Sequence, residues 1–318
     1  MTMRKCWVIT EGHAGMEAQG RGLAEALGLT PEIKRVRVRL PWDWLPNRLW
    51  FRPLAAPTRD SDPLVPPWPD LVISCGNVSA PLAVAIKRAS GGRTRIVHIQ
   101  NPRMNLAAFD VVVVPRHDNV DGPNVIVTKA AVHAVTAAKL AAGAERWRPV
   151  FAHLPRPLTA VLVGGSNRRH RLTPAISRQL ADDLLRFARV SGGGLAVTPS
   201  RRTDPGCVAI LRERLAGAPV YIWDGTGENP YFGMLALADS IIVTEDSVSM
   251  TSEAIATGKP VYVAQLEGES RRIRRFHKML MADGITRRFD GSVATWRYDP
   301  PDDTARAAAK IRQRFGWS

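Results

Sequence analysis

Cysteine is scarce in this chain. Cys6, Cys75 and Cys207 lie far apart, each in or beside an apolar segment, and no CxxC pair occurs. That spacing argues against a disulfide framework and against a zinc site. Long hydrophobic runs are missing too, since nothing approaches the ~20 apolar residues of a membrane-spanning helix. The opening MTMRKCWVIT runs directly into a strand-like segment, without the apolar core or cleavage site of a secretory signal. A cytoplasmic location is therefore expected. Acidic residues are in deficit, 29 against 44 basic ones, for a net charge of +15. A field of that sign attracts phosphorylated substrates, acidic lipid headgroups or nucleic acid, although arginine richness without a site gives the same total. Several catalytic signatures are absent: no GxGxxG fingerprint, no GxSxG elbow and no HExxH pair occurs. Gly258-Lys259-Pro260 has the look of a Walker motif, but Pro260 stands where a hydroxyl is required and the upstream glycine is missing, so a P-loop is excluded.

What is present is a long alternation of short apolar strands and helical stretches. With 318 residues and 45% hydrophobic content, two soluble domains are expected. The first half reads as strands at 5–10, 71–75, 95–99, 111–114 and 124–127, with helices at 16–27 and 79–89. A further strand is expected where Val36 and Val38 alternate with Arg35, Arg37 and Arg39. Alanine-rich residues 130–148 read as a helix leading to a boundary near 153–157. The second half repeats the pattern, with strands at 158–163, 195–198, 220–223, 241–243 and 261–263 and helices at 173–190 and 204–215. Such alternation predicts an α/β protein with parallel, doubly wound, Rossmann-like sheets. The expected layout is a first domain at 1–148, a second at 149–301, and a terminal helix within 302–318 packing back on the first. Loops after the strands project from the carboxyl edges, and two sheets facing across a cleft would present them to one ligand.

The stretch that organises the chain is ADSIIVTEDSVSMTSEAIATGKPVYV, residues 238–263. It reads as strand, turn, helix, turn, strand, with Met250, Glu253, Ala254 and Ala256 at helical spacing. Thr244, Asp246, Ser247 and Ser249 gather at the helix start, where free amides can receive phosphate or ribose oxygens. Capping alone accounts for Asp246 or Ser247, but the clustering of several polar groups favours a ligand. Gly164-Gly165-Ser166 offers close backbone approach to a diphosphate. Ser200, Arg201 and Arg202 offer a hydroxyl and guanidinium forks. Asn229-Pro230-Tyr231 either begins a helix or stacks on a base. Residues 40–54, LPWDWLPNRLWFRPL, mix aromatics, arginines and prolines. Either the rings meet a membrane interface or they cover the domain core.

Several stretches together resemble the Elm-type mitochondrial-fission family and its bacterial relatives. They are SCGNVSAP, QNPRMNLAAFDVVVVPRHD, GGSNRRHRL, TPSRRTDP, ENPYFGMLALAD and VTEDSVSMTSEAIATGKPVYV. The run from Ser249 to Val261 with a GGS loop is also similar to the donor half of GT-B glycosyltransferases, the murein-transferase type especially. The resemblance implies a GT-B-like fold and transfer of a sugar from a nucleotide-sugar donor to an anionic, cell-envelope or lipid-linked acceptor. Glu253 would grip the ribose, and Gly164, Gly165, Ser166, Ser200, Arg201, Arg202, Asn229, Tyr231, Thr244, Asp246, Ser247, Ser249 and Met250 would complete the donor site. No metal or other cofactor is expected, because amides and cations neutralise the leaving diphosphate. Asp182-Asp183 lies inside a helical stretch and does not make the DxD motif of metal-dependent transferases. The base is left open among His13, Glu11 and Asp118. His13 reads equally as a structural turn residue, and Asp118 can orient His117. A non-enzymatic membrane-associated scaffold is the alternative, and nucleic acid ranks last because no recognition motif accompanies the charge. The protein is further expected to dock reversibly on the anionic inner face of the cytoplasmic membrane through residues 42–51.

Overall fold

A computed structural model describes residues 4–317. The chain divides into two compact units, one formed by the sequence up to Ala134 together with the segment from Asp302, the other by Val135–Pro301. The first unit contains β1 (Cys6–Thr10), α1 (Ala14–Ala26), β2 (Pro31–Arg35), β3 (Leu71–Cys75), α2 (Ser79–Ala89), β4 (Arg95–Ile99), β5 (Val111–Pro115) and β6 (Val125–Thr128). These strands form one parallel sheet in the order β2-β1-β3-β4-β5-β6. A parallel sheet covered on both faces needs uninterrupted apolar strands, and β1, β3 and β5 are buried at every position.

The second unit begins with α3 (Ala137–Phe151), β7 (Leu158–Val163), a two-residue β8 (His170–Arg171), α4 (Pro174–Ser191) and β9 (Gly194–Pro199). It continues through α5 (Pro205–Arg214), β10 (Val220–Ile222), α6 (Tyr231–Leu237), β11 (Ser240–Thr244), α7 (Val248–Ile255) and β12 (Val261–Ala264). A two-residue β13 (Glu267–Gly268), α8 (Arg271–Ala282) and β14 (Thr286–Arg288) complete it. The parallel sheet here runs β10-β9-β7-β11-β12-β14, while β8 and β13 pair separately and antiparallel. Thr173 caps α4 by accepting from the Ile176 amide at 3.3 Å, with Pro174 in the first turn. The last helix, α9 (Asp303–Phe315), belongs to the first unit, where Ala307, Ala308, Ile311 and Phe315 join the core around Leu23 and Val113.

Three sequence expectations are corrected. The second strand lies at Pro31–Arg35 and ends on the first arginine of the alternating Val-Arg stretch. Beyond it the chain leaves the sheet: Val38 bridges Pro57, and Thr58 donates its amide to the Arg37 carbonyl at 2.9 Å. Residues 130–134 are not helical, because Asp303 takes the amides of Lys129 and Ala130 at 3.0 and 2.7 Å and Thr304 takes that of His133 at 2.9 Å. The helix starts only after Thr136, whose hydroxyl accepts from the Lys139 amide. The boundary accordingly falls at 134/135 rather than at 148/149. Helix α3 goes with the second unit because it crosses α6 at two glycines: a Cβ on Gly143 would lie 2.8 Å from the Gly233 amide, and one on Gly233 2.5 Å from Trp147.

The tryptophan segment turns some of its rings inward and others outward. Trp42 is 7% exposed and donates its indole N–H to the Phe51 carbonyl at 2.8 Å, and Trp50 packs on the core and donates to the Leu45 carbonyl at 3.1 Å. Trp44 is 81% exposed, and Leu49 and Phe51 are each more than half exposed. Cys6, Cys75 and Cys207 are buried free thiols. Among the described residues no helix is long and apolar enough to cross a membrane.

Candidate functional site

In the second unit β7 and β11 are neighbours from which the chain departs in opposite directions, β7 leading to β9 and β11 to β12. The loops after the two strands part at their carboxyl ends, the place where doubly wound sheets open a crevice. The first loop starts with Gly164-Gly165 and the second is Glu245-Asp246-Ser247. They are tied together from the inside. The Gly164 amide donates to Thr244 Oγ1 at 2.8 Å, and that hydroxyl donates to Asp246 Oδ1 at 2.6 Å. Asp246 Oδ2 accepts from the Gly165 amide at 3.2 Å and from Arg202 Nη2 at 2.7 Å. Ser200 Oγ donates to the Gly164 carbonyl at 2.7 Å and accepts from the Arg202 amide at 3.1 Å. Thr203 donates to the same carbonyl.

This bracing explains the glycines without a ligand. A Cβ on Gly164 would stand 2.3 Å from the Asp246 carboxylate, and one on Gly165 2.1 Å from the Arg202 carbonyl. Thr244, Asp246 and Ser200 are thus turned inward, as clamps that set the loop. Ser247 caps α7 by accepting from the Met250 amide at 3.3 Å, which is the capping role the sequence allowed. Other groups face outward. Arg201 is exposed and has no side-chain partner among the described residues. Ser166 is exposed; its Oγ accepts from the Leu172 amide at 3.2 Å, leaving the hydroxyl proton to donate. Ser249 and Met250 are half-buried in the first turn of α7.

Farther along α7, Glu253 meets Tyr231 at the start of α6, with the phenol donating to Oε2 at 2.5 Å. Asn229 fixes that start by accepting from the Tyr231 amide at 3.0 Å. Glu253 is 7% exposed. Burial lifts its carboxyl to about 7, against the opposing pull of the Tyr231 bond and the Lys139 charge. The same burial, with the negative charge beside it, pushes the Tyr231 phenol well above its ordinary value. Glu253 lies five residues past Val248, about 7.5 Å along the helix axis. An anion at the helix start and a hydroxyl-bearing group at Glu253 can therefore belong to one molecule. Lys259, of the rejected Walker-like tripeptide, donates to the Leu235 and Ala236 carbonyls at 2.6 and 2.5 Å and closes the end of α6.

In the first unit the corresponding divergence lies between β1 and β3. Glu11 spans it, accepting from the Val78 amide at 3.3 Å, and Gly12 takes the left-handed conformation that the turn requires, with φ of 83°. His13 precedes α1 with an exposed ring and makes no side-chain cap. Asp118 follows β5, with its carboxylate 3.4 Å from Nε2 of buried His117. Three strand spacings separate β1 from β5, about 14 Å at the usual interval. Glu11 and His13 thus follow one strand and Asp118 another.

Comparison with known proteins places this architecture. Residues 14–315 match the family model described as "Mitochondrial fission ELM1". Mitochondrial fission protein ELM1 of Arabidopsis thaliana is 35% identical over 280 residues, covering 79% of this chain and 65% of its own length. The chain thus spans just under two thirds of that relative. An uncharacterized protein of Rickettsia prowazekii is 26% identical, covering 96% of this chain and 97% of its own. Among solved structures, UDP-GlcNAc 2-epimerase of Methanocaldococcus jannaschii, in complex with UDP-GlcNAc and UDP, superposes with a TM-score of 0.55 at 12% identity, covering 97% of this chain and 99% of the epimerase. The kitacinnamycin glycotransferase gives 0.52 at 14% identity, with 98% of each chain covered. At such identities the likeness shows the fold, which is of the GT-B type as the sequence predicts.

Proposed function

The chain belongs to the mitochondrial fission ELM1 family, and on that footing we propose that its second unit binds a nucleoside-diphosphate sugar and transfers the sugar to an anionic, lipid-linked or envelope acceptor. The observation that carries the reading is the braced crevice between β7 and β11, with α7 starting at its edge and Glu253 one and a half turns in. Amides at the start of α7, the Ser166 hydroxyl and the Arg201 guanidinium supply donors for the diphosphate. Negative charge grows on that diphosphate as the sugar departs, and fixed donors stabilise it without an added metal. Glu253 accepts from the ribose hydroxyls, and Tyr231 holds its carboxylate in place beforehand. The epimerase of similar fold is complexed with UDP-GlcNAc and UDP, which supports a uridine nucleotide as the first ligand to try. On the acceptor side, Glu11 and His13 follow β1 at the divergence of the first sheet and are the first candidates for the base, with Asp118 after β5 as the alternative.

Titration calorimetry against UDP-, GDP-, CMP- and ADP-sugars tests the reading. One of them should bind, and Glu253→Ala should weaken it by roughly ten- to a hundredfold, the worth of a charged hydrogen bond. Absence of binding across the panel removes the transferase reading.

A non-enzymatic scaffold is the second reading, and the inward clamps favour it. Asp246, Thr244 and Ser200 serve the fold itself, and Glu253 already has Tyr231 as a partner. A protein with this bracing keeps its surface fixed for a protein or membrane partner whether or not a nucleotide enters.

A further inference from the structure

On the first unit, the segment around 47–55 and helix α2 enclose a groove of about 790 Å³. Trp50, Leu54, Val84 and Met104 give it an apolar lining, and Arg48, Arg52 and Arg88 stand around it. All three arginines are exposed, and among the described residues their guanidinium groups have no carboxylate or hydrogen-bond partner. The neighbouring cation Lys87, by contrast, is paired with Asp110 at 2.7 Å. The same segment turns Trp44, Leu49 and Phe51 outward. It is also firmly seated: Asn47 Nδ2 donates to the carbonyls of Asn77 and Pro102 at 2.8 and 2.9 Å. Across residues 39–55 three arginines face a single aspartate, Asp43.

We infer that this face is a docking surface for an anionic phospholipid membrane. Guanidinium forks match phosphate oxygens, so Arg48, Arg52 and Arg88 hold lipid headgroups. Aromatic and apolar side chains interleaved with cations settle at headgroup depth, where ring and charge each find their own medium. An acidic protein would satisfy the arginines but would leave Trp44, Leu49 and Phe51 without the apolar layer they project toward. Neither Glu253 nor any nucleotide enters this inference, so it stands or falls apart from the reading of the second unit.

Co-sedimentation of the full chain with vesicles tests it, using phosphatidylcholine alone and an equimolar mixture with phosphatidylglycerol. Pelleting is expected with the mixed vesicles only. Replacing Arg48, Arg52 and Arg88 together by alanine should weaken binding by roughly a hundredfold, about fivefold for each cation. Trp44→Ser with Leu49→Ser should also weaken it, with the unfolding midpoint unchanged because both side chains are exposed. Removing the same charge from exposed positions of the second unit, Arg178, Arg189 and Arg212, should leave binding intact. The proposal is overturned if wild type fails to pellet, if neutral vesicles bind equally, or if the two arginine triples behave alike. Failure to pellet would leave the face to an acidic protein.

Discussion

Asp246 and Arg202 are joined at 2.7 Å, with the carboxylate sealed from solvent and the guanidinium 41% exposed. The burial is one-sided, so the two partners are unequal. Removing Asp246 strands the donors of Thr244, Gly165 and Arg202 at once, whereas removing Arg202 leaves the carboxylate two donors. Asp246→Ala is expected to lower the unfolding free energy by about 2–4 kcal/mol and Arg202→Ala by about 1–2 kcal/mol. Urea denaturation measures both, and an Asp246→Ala loss within about 0.5 kcal/mol of zero would contradict the bracing role.

Gly165→Ala forces its new methyl against the Arg202 carbonyl, so the loop must shift to accept it. Stability should fall by about 1–3 kcal/mol, as for overpacking in other tight sites. Nucleotide affinity should fall with it if the crevice is the donor site. A stable Gly165→Ala protein with unchanged urea midpoint would show that the loop is loose.

Glu253 makes stability depend on pH. Its folded-state pKa is raised from 4.5 to about 7, so the folded protein holds this proton more tightly than the unfolded chain. The contribution is full below the ordinary carboxyl value and is lost as pH rises through about 7. Glu253→Gln imitates the protonated form. It should match wild type near about pH 4 and exceed it by up to ~3 kcal/mol near about pH 8. Thermal melts across that range decide, and a constant difference between the two proteins would remove the assignment.

Trp42 and Trp44, two residues apart, should respond oppositely to truncation. Trp42→Ala opens a cavity and abandons the Phe51 carbonyl, at a cost of about 3–5 kcal/mol. Trp44→Ala should change stability by less than about 0.5 kcal/mol. Equal effects in denaturant would mean that the segment is not seated as described.

Much of this arrangement is legible in the residues. Strands buried on both faces leave continuous apolar runs, so Leu71–Cys75 and Leu158–Val163 stand at their expected places. Periodicity failed where a distant partner decided the outcome. Ala130 and Ala131 suit a helix, but Asp303 and Thr304, far away in sequence, claim neighbouring amides. The Val36–Arg39 alternation is real, yet only Val36 still reaches β1, at the Thr10 carbonyl, and from Arg37 onward its partner is residues 56–58. At the site, spacing located the loops but could not tell a ligand-facing carboxylate from a clamp. That distinction for Asp246 depends on how closely Gly164 and Gly165 approach it, a through-space fact. The Tyr231–Glu253 contact was equally hidden, since nothing local signals that the start of α6 meets the second turn of α7. The outward turn of Trp44 and the inward turn of Trp42 follow from the Trp42–Phe51 bond.

Helix α9 gives the first unit a particular history during synthesis. Ala307, Ala308, Ile311 and Phe315 belong to a core whose other buried members lie before residue 135, yet the whole of Val135–Pro301 is translated between them. On a ribosome the amino-terminal sheet therefore waits, with the apolar patch beneath α9 uncovered, while the second unit acquires all of its own residues. Domains made from a continuous stretch can fold as they emerge; here the unit begun first is completed last.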